Sequence, residues 1–275
     1  MKILDEESSG KMLNCDCIKM TFDAGTATEK EALRGVSVKL QDNDFVTVIG
    51  GNGAGKSTLL NAIAGVFIVD AGKVHVDDVD VTKMPEHIRS KYIGRVFQDP
   101  RMGTSPSMTL EENLAIAYRR GKRRTLRWGT NRKEREIYKE SLLTLGLGLE
   151  DRLSVKVGTL SGGQRQALTL LMATIMRPKI LLLDEHTAAL DPKTAKIVLD
   201  LTNRIVSDTG LTTLMVTHNM RDALKIGNRI MMMHEGQVVL DVGGEDKKSL
   251  TVPDLLKMFE QVSGEEVVSD RMLLG

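Results

Sequence analysis

The chain has 275 residues, 41% of them hydrophobic, with 38 basic and 37 acidic side chains and a formal net charge of +1. That length and apolar content are ample for a large buried core, and the near-neutral balance excludes global steering toward nucleic acid. No apolar run approaches the roughly 18 residues needed to span a bilayer. Met1 to Glu7 turns acidic at once and lacks the apolar core of a signal peptide, so a protein facing the cytosol is expected.

In chain order, residues 13 to about 97 read as strand-rich. Cys15 and Cys17 stand two apart on the first expected strand, so their side chains are predicted to point the same way. Two cysteines cannot complete a four-ligand zinc site and a reducing cytosol disfavours a disulfide, so both read as ordinary thiols. Phe45-Val46-Thr47-Val48-Ile49 is a short, apolar, β-branched run, the pattern of a buried strand. The glycine-rich stretch Gly50-Gly51-Asn52-Gly53-Ala54-Gly55-Lys56-Ser57-Thr58 follows, and Lys56 to Ala64 reads as a helix. Val74-His75-Val76 and Val79-Asp80-Val81 alternate as short strands around an acidic turn.

Residues 99 to about 177 read as mainly helical. Within them, Arg119, Arg120, Lys122, Arg123, Arg124, Arg127, Arg132, Lys133 and Arg135 surround the one tryptophan, Trp128. A solvated loop, a contact with anionic lipid and a contact with RNA or an acidic partner are all open readings of this segment. The chain then returns to strands at 180–183 and 212–217. Ile230-Met231-Met232-Met233 and Gln237-Val238-Val239-Leu240 flank His234-Glu235-Gly236 and suggest a closing hairpin, with the methionines as core filler. From Gly243 the tail is charged, then amphipathic around Leu255, Leu256, Met258 and Phe259, which suggests a helix packed on the core. The chain shows no internal repeat, heptad array or low-complexity tract.

Gly50, Gly55, Lys56 and Ser57 fit the phosphate-loop pattern G-x-x-x-x-G-K-[ST]. Glycines let the backbone approach a triphosphate closely, successive N–H groups form an anion-binding concavity, and the following helix adds its positive end. Lys56 is expected to reach the outer phosphates and the Ser57 hydroxyl to ligate Mg²⁺. Ile180-Leu181-Leu182-Leu183 ends in Asp184 and Glu185. A strand buried on both faces looks like this, and its carboxyl end is where open α/β sheets place ligands. Asp184 is the expected Mg²⁺ partner, and Glu185 a candidate to accept a proton from the attacking water.

Leu160-Ser161-Gly162-Gly163-Gln164, about twenty residues before Asp184, resembles the signature motif of ATP-binding-cassette (ABC) ATPases. Four further features are similar to that family. Gln98, after Gly94-Arg95-Val96-Phe97, resembles the Q-loop glutamine, and Ala189-Leu190-Asp191 the D-loop. His218, after Thr213-Leu214-Met215-Val216-Thr217, resembles the switch histidine. Phe22 is the candidate for the aromatic that stacks on adenine, although Asp23 to Lys30 is longer than the usual loop there and leaves a core-facing aromatic as the other reading.

The resemblance covers roughly residues 13 to 245. It implies an α/β phosphate-loop NTPase fold with a RecA-like core, an N-terminal antiparallel β subdomain and a helical subdomain at about 99–177. The cassette would span 1–245, with a C-terminal extension at 246–275. It also implies two copies joined head to tail, with ATP and Mg²⁺ between them. One copy would supply Phe22, the phosphate loop (Gly50, Asn52, Gly53, Ala54, Gly55, Lys56, Ser57, Thr58), Gln98, Asp184, Glu185 and His218. Ser57, Gln98 and Asp184 would face the metal. The other copy would supply the signature residues Ser161, Gly162, Gly163 and Gln164, with Ser161 and Gly163 reaching the γ-phosphate. Lys56, Gln98, Glu185 and His218 would act in hydrolysis, Glu185 as general base and His218 as sensor of the γ-phosphate.

Two departures mark a divergent subgroup. His186 stands where proline is common, and Arg165-Gln166-Ala167-Leu168-Thr169-Leu170-Leu171 replaces the usual helix after the signature. Ile93-Gly94-Arg95-Val96-Phe97-Gln98-Asp99-Pro100, Ala115-Ile116-Ala117-Tyr118-Arg119-Arg120-Gly121-Lys122 and Leu181 to Asp191 are similar to cassettes of tryptophan- or tyrosine-type importers that work with branched-chain-type permeases. Integral-membrane permease subunits and, indirectly, a substrate-binding protein are the implied partners. The implied place is the cytoplasmic side of the cell membrane, with no nucleic acid. A soluble cassette acting on ribosomes or nucleic acid, and an exporter cassette, are the rival readings.

Overall fold

The strands sort into two sheets according to their side-chain patterns. The computed structural model describes residues 11–122 and 130–263. Runs that are mainly apolar form a sheet covered on both faces. β3 (Phe45–Ile49) and β8 (Thr212–Val216) are buried at every position and β7 (Ile180–Asp184) at all but its last. With β6 (Ile93–Val96), β9 (Arg229–His234) and β10 (Gln237–Gly243) they form a sheet in the order β10-β9-β3-β8-β7-β6. Every pairing in it is parallel except that of the edge strand β10. Strands with one wet face, β1 (Lys11–Phe22), β2 (Lys30–Gln41), β4 (Ala71–Val76) and β5 (Val79–Asp80), form an antiparallel sheet in the order β2-β1-β4-β5.

α1 (Lys56–Ala64) lies between the sheets, where Leu59, Leu60 and Ile63 share one apolar cluster with Leu13, Val36 and Val74 on one side and Val46, Leu182 and Leu214 on the other. The opposite face of the parallel sheet, which carries Leu181 and Leu183, packs on α5 (Gly162–Thr174) and α6 (Pro192–Thr209). α3 (Leu110–Tyr118) and α4 (Arg132–Leu143) extend the same cluster through Leu114 and Leu142. Neighbours in β7 therefore serve different layers, as the period of two requires.

α1 depends on a buried cation. Arg89, at the end of the short α2 (Glu86–Arg89), is 1% exposed. Its guanidinium donates to the carbonyls of Ala62, Ile63, Thr82 and Met84. Two of these are in the last turn of α1, where carbonyls lack intrahelical donors and a positive charge is favourable. In the expected hairpin, β9 and β10 turn through Glu235 and Gly236, both at positive φ (45° and 76°), as a two-residue turn matched to strand twist requires. α7 (Met220–Lys225), α8 (Gly244–Ser249) and α9 (Val252–Ser263) follow β8 and β10. Leu255 and Phe259 of α9 are buried against Met220, Ile230 and Met232.

One local expectation is corrected. Cys15 and Cys17 do not face the same way: Cys15 is buried and Cys17 exposed. The register slips between Cys15 and Ile18, and Cys17 takes φ 47° with its N–H on Ser37 Oγ at 3.0 Å. An extra residue in a strand reverses the alternation beyond it. Burial pushes the Cys15 thiol up to about 12. In the basic segment, Arg119 pairs with Glu134, Arg135 with Glu111, and Arg120 donates to the Ala173 carbonyl. Arg123, Arg124, Arg127 and Trp128 lie outside the described residues, as does Met1 to Glu7.

Candidate active site

Sheet topology gathers the candidate residues. The order β3-β8-β7-β6 sets four carboxyl ends side by side. β3 runs into the phosphate loop, β8 into His218, β7 into Asp184 and Glu185, and β6 into Gln98. Open parallel sheets bind ligands along this edge.

The phosphate loop needs its glycines. Gly50, Gly53 and Gly55 have φ of 150°, 79° and 97°. A Cβ on Gly50 would lie 2.2 Å from the Met233 carbonyl oxygen, and one on Gly55 2.7 Å from that of Ala32. The loop is thus wedged between β9 and β2. The turn after β9 holds it from behind, with the Gly236 N–H on the Ala54 carbonyl. Gly55 caps α1 without a side-chain bond, leaving the first-turn N–H groups for an anion. Lys56 is 7% exposed, its Nζ donating to the carbonyls of Gly50 and Gly51 at 2.8 and 2.9 Å. Burial lowers its pKa, and the nearby Glu185 and Asp184 oppose that shift.

Two polar pairs complete the edge. Ser57 Oγ donates to Asp184 Oδ1 at 3.3 Å, and Asp184 Oδ2 lies 3.6 Å from Arg95. Burial raises the Asp184 pKa, while Arg95 and Ser57 hold it down. Glu185 sits at φ 43° with its N–H on the Val216 carbonyl, and its Oε2 is 3.5 Å from His218 Nδ1. The His218 hydrogen bond lowers the Glu185 pKa, and the same bond raises that of His218. Glu185 is therefore ionised at neutral pH, the form that accepts a proton.

A hydroxyl and a carboxylate facing each other are hard oxygen donors that fit Mg²⁺. Among the described residues, no group of three or more His, Cys, Asp or Glu side chains could hold a metal. Gln98 is exposed and lines a cleft of about 820 Å³ together with Asp184, Arg95 and Asn61.

The signature residues stand elsewhere. Ser161 caps α5 in a reciprocal box with Gln164, which fixes that helix end. Gly162 and Gly163 face Leu190 and Thr194 at the head of α6. Among the described residues, none of the four bonds to the phosphate loop. Phe22 ends β1 opposite Lys30, edge-on to Phe67 at 5.2 Å. Lys30 Nζ is 3.6 Å from where a Cβ on Gly53 would lie, so this hairpin end reaches the phosphate loop. Sequence reasoning passed over Arg95 and Asn61 as site residues. A charge inside the buried strand Ile93–Val96 was the available signal for Arg95; Asn61, one polar residue on α1, gave none.

Comparison with known proteins places the chain in a family. The sequence profile of the ABC transporter family matches residues 33–188. The tyrosine transport ATP-binding protein of Clostridioides difficile (strain R20291) is 44% identical over 253 residues, covering 90% of this chain and 99% of that protein. A methionine import ATP-binding protein of Streptococcus pneumoniae (strain ATCC BAA-255 / R6) is 34% identical over 88% of this chain and 69% of its own length. The ADP conformation of MJ1267, an ATP-binding cassette of an ABC transporter, superposes with a TM-score of 0.74 at 28% identity, over 93% of this chain and 99% of that one. A dimeric post-hydrolysis state of the ATP-binding cassette MJ0796, bound to ADP and Pi, gives 0.72 at 28% identity, over 84% and 98%. The chain belongs to the ABC transporter family and is one of its ATP-hydrolysing cassettes.

Proposed function

We propose that this cassette drives a bacterial importer of aromatic amino acids, as two copies beneath separate permease subunits on the cytoplasmic face of the cell membrane, fed by a substrate-binding protein. The observation that carries the catalytic part is the pairing of Ser57 with Asp184 and of Glu185 with His218, at the ends of three adjacent strands. The 44% identity to a tyrosine transport ATP-binding protein over nearly all of both chains supports the cargo class.

In this reading residues 1–245 are the cassette, with a helical subdomain at about 99–177, and 246–275 are an extension. The phosphate loop and Lys56 hold the β- and γ-phosphates, and Phe22 stacks on adenine. Ser57, Gln98 and Asp184 hold Mg²⁺, which neutralises phosphate charge when bound. Glu185 takes the proton of the attacking water, a role contributing about 10²- to 10⁴-fold in rate. His218 keeps Glu185 ionised and faces the γ-phosphate. Ser161 and Gly163 act on the nucleotide of the opposite copy, because in one chain they stand away from the phosphate loop.

The test is recovery of the tagged protein from its native membranes in detergent, with partners identified by mass spectrometry, alongside uptake of labelled tyrosine, tryptophan and methionine in a deletion strain. A multi-span permease, a substrate-binding protein and loss of tyrosine or tryptophan uptake are expected. Recovery of ribosomal proteins, or unchanged uptake, would contradict the proposal.

A further inference from the structure

Arg95 brings three parts of the site together. It lies on β6, three residues before Gln98, and its side chain is 13% exposed. Its Nη2 donates to Asn61 Oδ1 of α1 at 2.6 Å and lies 3.6 Å from Asp184 Oδ2. Its guanidinium carbon lies over the Phe97 ring, 4.6 Å from the centre. Asp184 is thus shared: Ser57 donates to one oxygen and Arg95 approaches the other.

The surroundings distinguish Arg95 from a purely structural arginine. Arg89, buried and in no ion pair among the described residues, donates to four carbonyls. Among the described residues, Arg95 has one neutral partner, Asn61, and its Nε is buried with none. What holds it is the Asp184 charge and the ring face. A cation held by Asp184 and a guanidinium at the other oxygen of that carboxylate are like charges in a partly dry site, where screening is weak. Arg95 also has somewhere to go, since it lines a cleft that contains Glu86 and Asp99.

We infer that Arg95 is a positioning residue that holds Asp184 as a resident counter-ion and thereby sets a low Mg²⁺ affinity for the nucleotide site. The inference rests on the proposed role of Asp184 as a Mg²⁺ partner. Arg95 orients the carboxylate, competes with the metal for it, and turns toward Glu86 and Asp99 when the metal takes it. Nucleotide binding without metal does not depend on Arg95.

The test is a Mg²⁺ titration of the full chain with fluorescent ADP at constant ionic strength, comparing wild type, Arg95→Met, Arg95→Lys, Arg95→Gln and Asp184→Asn. Arg95→Met should lower the half-saturating Mg²⁺ roughly five- to tenfold, the scale of one lost partly buried charge contact. Arg95→Lys should stay within about twofold of wild type. Binding in EDTA should be the same for all the Arg95 variants. Arg95→Gln keeps an amide for Asn61 and should shift as Arg95→Met does, so a folding failure of one variant leaves the other. An unchanged or raised half-saturating Mg²⁺ in the charge-free variants, or the same shift in Arg95→Lys, would overturn the inference. Asp184→Asn should remove most of the Mg²⁺ dependence. If it does not, the role of Asp184 fails and the inference falls with it; if it does and the Arg95 variants show no shift, the Arg95 role alone is wrong.

Discussion

Glu185 holds a left-handed backbone conformation at φ 43°, a strain of order 1–3 kcal/mol for a residue with a side chain. Its neighbour explains how the turn is held. His186 is 2% exposed, and its Nε2 lies 3.0 Å from Thr202 Oγ1. The Thr202 hydroxyl donates to the Val198 carbonyl, so it accepts from His186, which fixes the neutral tautomer with the proton on Nε2. Burial lowers the His186 pKa to about 4. A depressed histidine pKa favours folding above the unfolded value of 6.5, and that contribution is lost as pH falls toward 4. The full loss is of order 3 kcal/mol. Urea midpoints should therefore drop between pH 7 and pH 5, and His186→Gln should flatten that drop; an equal drop in both proteins would contradict the assignment. Thr202→Val, which keeps the shape but orphans the imidazole, should cost about 1–3 kcal/mol and slow turnover while leaving nucleotide affinity in place.

Among the elements, the crossing of α5 and α6 has little slack. A Cβ on Gly163 would lie 2.1 Å from Thr194 Cγ2, so Gly163→Ala should destabilise the fold by about 1–3 kcal/mol through overpacking. Adding Thr194→Ser, which removes that methyl, should restore most of the melting temperature; no recovery would show that the clash is not the cause. Arg89→Met should cost roughly 3–5 kcal/mol or prevent folding, because four carbonyls, two of them buried and two partly buried, lose the guanidinium donor. The strands and helices were readable because their patterns are strong. Ile180–Leu183 is apolar throughout, and Phe45–Ile49 is interrupted only by the β-branched Thr47. The bulge at Cys17 was not, because its cause is cross-strand: the Cys17 N–H finds Ser37 twenty residues away, and Gly72 of β4 crowds the same backbone. Arg89 was invisible for a similar reason, since its four acceptors come from α1 and from the stretch before α2.

At the scale of the whole molecule, the parallel order β3-β8-β7-β6 makes one site of residues as distant as Lys56 and His218. Each motif was legible and the family resemblance set Ser57 with Asp184 and Glu185 with His218 at one site, but their direct contacts, and that of Arg95 with Asp184, were not readable. Those contacts follow from strand order, which a single sequence does not encode locally. The same topology leaves Ser161 and Gly163 at the head of α5, where under the proposed function they serve the nucleotide of a second copy. The most direct test is Glu185→Gln, measured for phosphate release and for mass in solution with ATP. The account gives turnover reduced about 10²- to 10⁴-fold, retained ATP binding and a stable ATP-bound dimer. A variant that hydrolyses ATP at the wild-type rate, or binds ATP only as a monomer, would contradict it.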